Sequence, residues 1–161
     1  MKDPRYPIPQ ERSMLPVLRA FVICQQRLDR AMTRFMQPHD LTPSQFDVLA
    51  TLGDTDGLLF KQLSQQALVT AGTLTPVLNR MEAKGLLLRC KDERDHRQVI
   101  LKLTPAGQAL YEAVFLPYVD HAKANLDALT PEEQRQLTSL LDKLARAFDP
   151  RPDAPERGEP S

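Results

Sequence analysis

Several things are scarce or missing in this chain of 161 residues, and each shortage removes a class of function. Its two cysteines, Cys24 and Cys90, lie far apart and in no metal-ligand spacing, so they read as reduced thiols of a cytosolic protein. Three histidines, His39, His96 and His121, also lack ligand spacing and read as structural or surface groups. No metal site is expected. No apolar run approaches ~18 residues, which removes a membrane span. The opening MKDPRYPIPQ has no apolar stretch of the kind a signal peptide needs, so a cytoplasmic location is expected. The chain also lacks a nucleophile elbow, a glycine-rich phosphate loop and a paired ligand motif, so neither a catalytic set nor a cofactor is expected. The formal net charge is zero, which argues against a protein that coats nucleic acid indiscriminately.

What is present concentrates between residues 72 and 103. Leu74, Val77, Leu78 and Met81 recur at helical spacing, so one face of a helix must be buried. At about 100° per residue, Pro76, Asn79, Arg80 and Ala83 point the opposite way, flanked by Thr73 and Thr75. That outer face is slim, polar and basic. Gly85 supplies the stop. Leu86, Leu88 and Cys90 then alternate along one strand, and Val99, Leu101 and Leu103 along a second. Asp92 to Arg97, too charged to bury, would form the tip between them. From residue 80 to 102 seven cations face four anions, a net +3, and the rest of the chain carries −3. One surface is therefore built for phosphate. The pattern predicts a winged helix-turn-helix that reads double-stranded DNA.

The remainder predicts a mainly α fold with a small β wing. Residues 1–12, with prolines at 4, 7 and 9, would be an extended arm. A long helix should run from about 13 to 36, its apolar side carrying Leu18, Phe21, Val22, Leu28, Met32 and Phe35. Thr42-Pro43 starts the next helix, which contributes Phe46, Val48, Leu49 and Leu52. Residues 53–57 should be a loop, and Phe60 to Leu68 a short helix contributing Leu63, Ala67 and Leu68. Thr104-Pro105 launches a long helix that Pro117 should bend. Thr130 and Glu133 have capping-box spacing ahead of the stripe Leu137, Leu140, Leu141, Leu144 and Phe148. Residues 149–161, proline-rich and charged, should be disordered. The terminal helices carry more apolar face than one small module can cover. Residues 13–40 and 105–148 therefore read as a homodimerisation region around a DNA-binding domain at 41–104.

At GTLTPVLNRMEAKGLL and DERDHRQVILKLTPAG the chain resembles the MarR family, including its Asp-x-Arg wing tip at Asp95 and Arg97 and its Leu-Thr-x-x-Gly exit. LTPSQFDVLATL is similar to the family's segment ahead of the helix-turn-helix. The resemblance implies a dimeric winged-helix repressor or activator on palindromic operators, released by a small-molecule effector or by oxidation. GTLTPVLNRMEAKGL and Arg30 to Arg34 are most similar to the organic-hydroperoxide-sensing branch, which senses through a cysteine of the first helix. Alignment on Arg30 places that cysteine at Val22 rather than Cys24, about 200° away around a helix. The tyrosines that accompany the sensor in that branch are absent; Gln26 and Met36 stand near where they would be.

On this reading Thr73, Thr75, Asn79 and Arg80 meet base edges or phosphates, and Pro76 meets a thymine methyl. Lys84 adds a cation to the same surface. Lys91 and Arg94 contact phosphate. Arg97 enters a minor groove with Asp95 holding its direction. Cys24 as a redox sensor, with Arg27 one turn away, is the alternative, and a winged helix that binds protein rather than DNA is a further one.

Overall fold

The computed structural model describes residues 14–91 and 98–148. Helix α1 spans Met14–Met36, α2 Pro43–Gly53, α3 Phe60–Gln66, α4 Ala71–Ala83, α5 Pro105–Leu126 and α6 Pro131–Phe148. Strands β1 (Leu58–Leu59), β2 (Leu87–Lys91) and β3 (Val99–Leu103) form an antiparallel sheet in the order β1-β3-β2. Two compact units divide between Leu116 and Pro117, within α5, which stays helical through that proline. No described helix is long and apolar enough to cross a membrane. The arm at 1–12, the tail at 149–161 and the hairpin tip at 92–97 lie outside the described residues.

The first unit is organised around the predicted apolar face of α4. Leu74, Val77, Leu78 and Met81 are all buried, against a core that includes Phe46, Leu49 and Leu52 of α2, Leu63 of α3, Leu87 and Leu101. Each such side chain contributes roughly 1.5–3 kcal/mol when fully buried, so four on one stripe fix which way α4 faces. Helix α2 begins where the threonine-proline signal places it. Gln45 N–H donates to the Thr42 hydroxyl (3.2 Å) and Thr42 N–H donates to Gln45 Oε1 (3.0 Å), a reciprocal cap that also gives the buried Gln45 amide a partner. In the second unit Thr130 N–H and its hydroxyl both donate to Glu133 Oε2 at 2.8 Å. Those bonds hold the Glu133 carboxyl below its usual range, so this cap persists above the usual glutamate pKa and weakens as acid protonates it.

Three expectations need correction. The face of β2 that looks into the core carries Leu87, not Leu86, Leu88 and Cys90, which are only half-buried. The cause is the end of α4. Gly85, at φ +70°, lets Leu86 N–H turn back to the Met81 carbonyl (2.9 Å), so the strand starts one residue later and its alternation changes phase. Cys90 thus shares a face with Ile100, its partner across the ladder, rather than lying in the core. On β3, Leu101 is buried as expected, but Val99 at the tip end is exposed.

Secondly, α3 stops at Gln66, and Leu68 is 84% exposed rather than packed. Its backbone N–H is taken by Asp47 Oδ2 at 2.7 Å, and that bond turns the side chain out. Thirdly, the loop after α2 leads into β1, a strand of two residues that pairs with β3 and went unforeseen.

Asp47 therefore ties α2 to the turn between α3 and α4. Burial pushes its carboxyl above the ordinary aspartate value, outweighing the backbone bonds from Leu68 and Val69 that pull it down. A raised folded pKa means the fold favours the protonated acid. This group's contribution is full below its unfolded pKa and is lost as pH rises through the folded one. Asp47→Asn keeps an acceptor for Leu68 and removes the charge. Its stability relative to the parent should therefore rise with pH across the aspartate titration, in urea melts taken from acid to neutral pH. A difference that is flat in pH would show that the carboxylate carries no desolvation cost.

Candidate nucleic-acid interface

Opposite its buried stripe, α4 presents Thr73, Thr75, Pro76, Asn79 and Arg80, all exposed. The Thr70 and Thr73 hydroxyls lie 2.9 Å apart at the start of this face. The polar groups of the outer face thus share one broad side of a helix whose rotation is fixed by the core beneath it.

One residue of the site was missed. Arg89, on β2, donates from its guanidinium to Asn79 Oδ1 (2.7 Å) and pairs with Glu82 at 3.1 Å. The sequence shows Arg89 only as one cation among seven. Its reach across to two α4 residues three apart depends on the β2 phase, which the charge count does not contain. The bond holds the Asn79 amide by its oxygen and leaves the NH2 group free to donate.

Lys84 has a different setting. Its ammonium pairs with Asp40 Oδ2 at 2.9 Å and donates to the Asp40 backbone carbonyl. Asp40 itself adopts a left-handed backbone, φ 52°. As a phosphate contact Lys84 would share its charge with Asp40. Lys91 is exposed at the end of β2, where it pairs with Val99. The ladder therefore carries the hairpin up to the segment holding Arg94, Asp95 and Arg97, which lie outside the described residues. Cys24 is exposed on α1, away from this face in the chain and apart from the half-buried Cys90.

A second feature adjoins α4. An open cleft of about 480 Å³ separates its last turns from the end of α1 and the start of α2, lined by Thr33, Leu41, Thr42, Arg80 and Lys84 among others.

Residues 39–98 match the family described as the MarR family. A homoprotocatechuate degradative operon repressor of Escherichia coli is 34% identical over 123 residues, covering 74% of this chain and 82% of the relative. The chain belongs to the MarR family. The HTH-type transcriptional regulator TtmR of Methylorubrum extorquens is 35% identical over 74% of this chain; the match takes in 59% of TtmR, less than two thirds of that protein's length. Among solved structures, a mutant of Escherichia coli MarR complexed with operator DNA superposes with a TM-score of 0.72 at 30% identity, covering 83% of this chain and 96% of the other. This MarR-family chain is therefore a winged-helix transcriptional regulator, and the resemblance read from GTLTPVLNRMEAKGLL and the wing is borne out at the level of the family.

Proposed function

We propose that the protein is a repressor that binds a palindromic operator as a homodimer and is released by a small ligand. The observation that carries this reading is the two-sidedness of α4: four buried apolar residues fix the helix, and every polar group of the opposite face is exposed. In a dimer two such helices enter successive major grooves, and the hairpins reach the flanking minor grooves. Phosphate contacts supply affinity, while Thr75, Asn79 and their neighbours supply sequence choice.

The dimer is supported by apolar surface that one chain leaves uncovered. On α1, Val17, Phe21 and Leu28 are 61%, 42% and 56% exposed; on α6, Leu140 and Phe148 are 65% and 70% exposed. Covering such stripes with a second copy is the symmetric solution. Release by a ligand is supported by the cleft beside α4, which combines the cationic Arg80 with the apolar Leu41. Any molecule wedged there bears directly on the reading helix.

Selection of duplexes from a random pool, followed by footprinting, tests the reading: a palindrome with half-sites about one helical turn apart is expected. Failure to enrich any sequence would overturn it. Arg97→Ala should weaken binding to the selected duplex about tenfold, ~1.4 kcal/mol, while sedimentation shows an unchanged dimer. Unchanged affinity would remove Arg97 from the interface.

A further inference from the structure

One charged surface has no part in the site described above. Helix α1 carries Arg19, Arg27, Arg30 and Arg34, all exposed. At 100° per residue the four fall within an arc of about 80°. Phe21, Leu28 and Met32 of the same helix lie about 180–220° around from Arg19, on the far side. A second copy seated on Phe21, Leu28 and Met32 would therefore leave the arginines in water, with Ile23, 38% exposed, among them. Asp29, the one acidic residue of α1, lies about 120° from the centre of the arc. Among the described residues none of the four arginines forms an ion pair. The Arg34 Nε donates to the Arg30 carbonyl at 3.3 Å, which fixes one end of an exposed guanidinium.

Four cations in a row do not lower the energy of a lone subunit. Their mutual repulsion favours a polyanion alongside. The position of the row says which one. Thr33, between Arg30 and Arg34 in sequence, lines the same cleft as Arg80 of α4, so the C-terminal end of the stripe adjoins the flank of the reading helix. From Arg19 to Arg34 the stripe is ~22 Å long, at 1.5 Å per residue. Duplex DNA carries one charge per ~1.7 Å of axis, so a stripe of this length passes several phosphates.

We infer that this arginine row is a second DNA-contacting surface, seated on the phosphodiester backbone outside the base pairs read by α4. The inference rests on the DNA-reading role of α4. It predicts that the footprint extends beyond the palindrome and that flanking duplex of any sequence adds affinity.

The test uses the full-length protein and its selected duplex in two lengths, one trimmed to the palindrome and one extended by about ten base pairs, roughly one helical turn, on each side. Anisotropy titrations would run from about 50 to 200 mM salt. On the extended duplex Arg30→Ala/Arg34→Ala should bind about tenfold more weakly at the lower salt, with the slope of log K against log salt reduced by about 1.8. On the trimmed duplex it should match the parent. Arg30→Lys/Arg34→Lys should retain most of the affinity, since the release of counterions from phosphate depends on the charge that lysine keeps. Equal affinity and slope on both duplexes would overturn the inference while leaving the α4 reading intact. Loss of the dimer in the alanine variant would assign the stripe to a second copy instead and would overturn it too. A parent protein that binds neither duplex would sink the α4 reading and this inference together.

Discussion

Gly107→Ala is expected to cost about 3 kcal/mol and to lower the melting temperature by roughly 6–12 °C. A Cβ at this position would overlap the Leu86 carbonyl oxygen and stand 3.0 Å from its carbonyl carbon. Neither atom can move independently. The same carbonyl accepts the Thr104 N–H (3.1 Å), the Thr104 hydroxyl donates to the Gly85 carbonyl (2.6 Å), and Gly107 N–H donates back to that hydroxyl (3.0 Å). The end of α4 and the start of α5 are thus stitched through main-chain atoms and the Thr104 hydroxyl. Against a total stability of typically about 5–15 kcal/mol, the loss is large. Gly85→Ala is the control. It has open space around a Cβ, so its cost is the positive φ alone, about 1 kcal/mol. Urea melts of the two variants separate the causes: equal losses would mean that close approach at Gly107 is not what demands glycine there.

That motif illustrates what the sequence discloses and what it withholds. Leu103-Thr104-x-x-Gly107 is legible as a signature, and Thr104-Pro105 as a helix start, but the reason for the glycine lies in a contact with Leu86, distant along the chain. The rotation of α4 was legible in full, because Leu74, Val77, Leu78 and Met81 repeat with the helical period and all four are buried. Strand β2 was not. Its sequence, apolar at Leu86, Leu87 and Leu88 in succession, fits either phase, and the turn-back of Leu86 N–H to Met81 decides between them. Two residues of β1 are too few to show any period. Leu68 looked like core because it closes the apolar set Leu63, Ala67 and Leu68. The competing bond to Asp47 comes from a different helix and has no local signal.

Asn79→Ala is expected to weaken binding to the selected duplex by about ten- to hundredfold, ~1–3 kcal/mol, and to relax sequence preference at one base pair of each half-site. The magnitude depends on Arg89. With its oxygen accepting from Arg89 at 2.7 Å, the Asn79 amide is oriented before DNA arrives, and little rotational freedom remains to be lost on binding. Arg89→Ala should therefore reproduce much of the Asn79→Ala loss, and the double variant should be hardly worse than either single one. A coupling energy of about 1 kcal/mol or more is expected for the cycle. Arg89→Lys should fall short of rescue, because an ammonium cannot present the planar fork that spans Asn79 and Glu82. The rival role is distinguishable. If Arg89 touched phosphate rather than orienting Asn79, its removal would weaken all duplexes alike, reduce the salt slope by about 0.9 and add to the Asn79→Ala loss without coupling. Only the first pattern, coupled losses confined to the preferred sequence at constant salt slope, is compatible with a strand arginine that sets the direction of a helix amide.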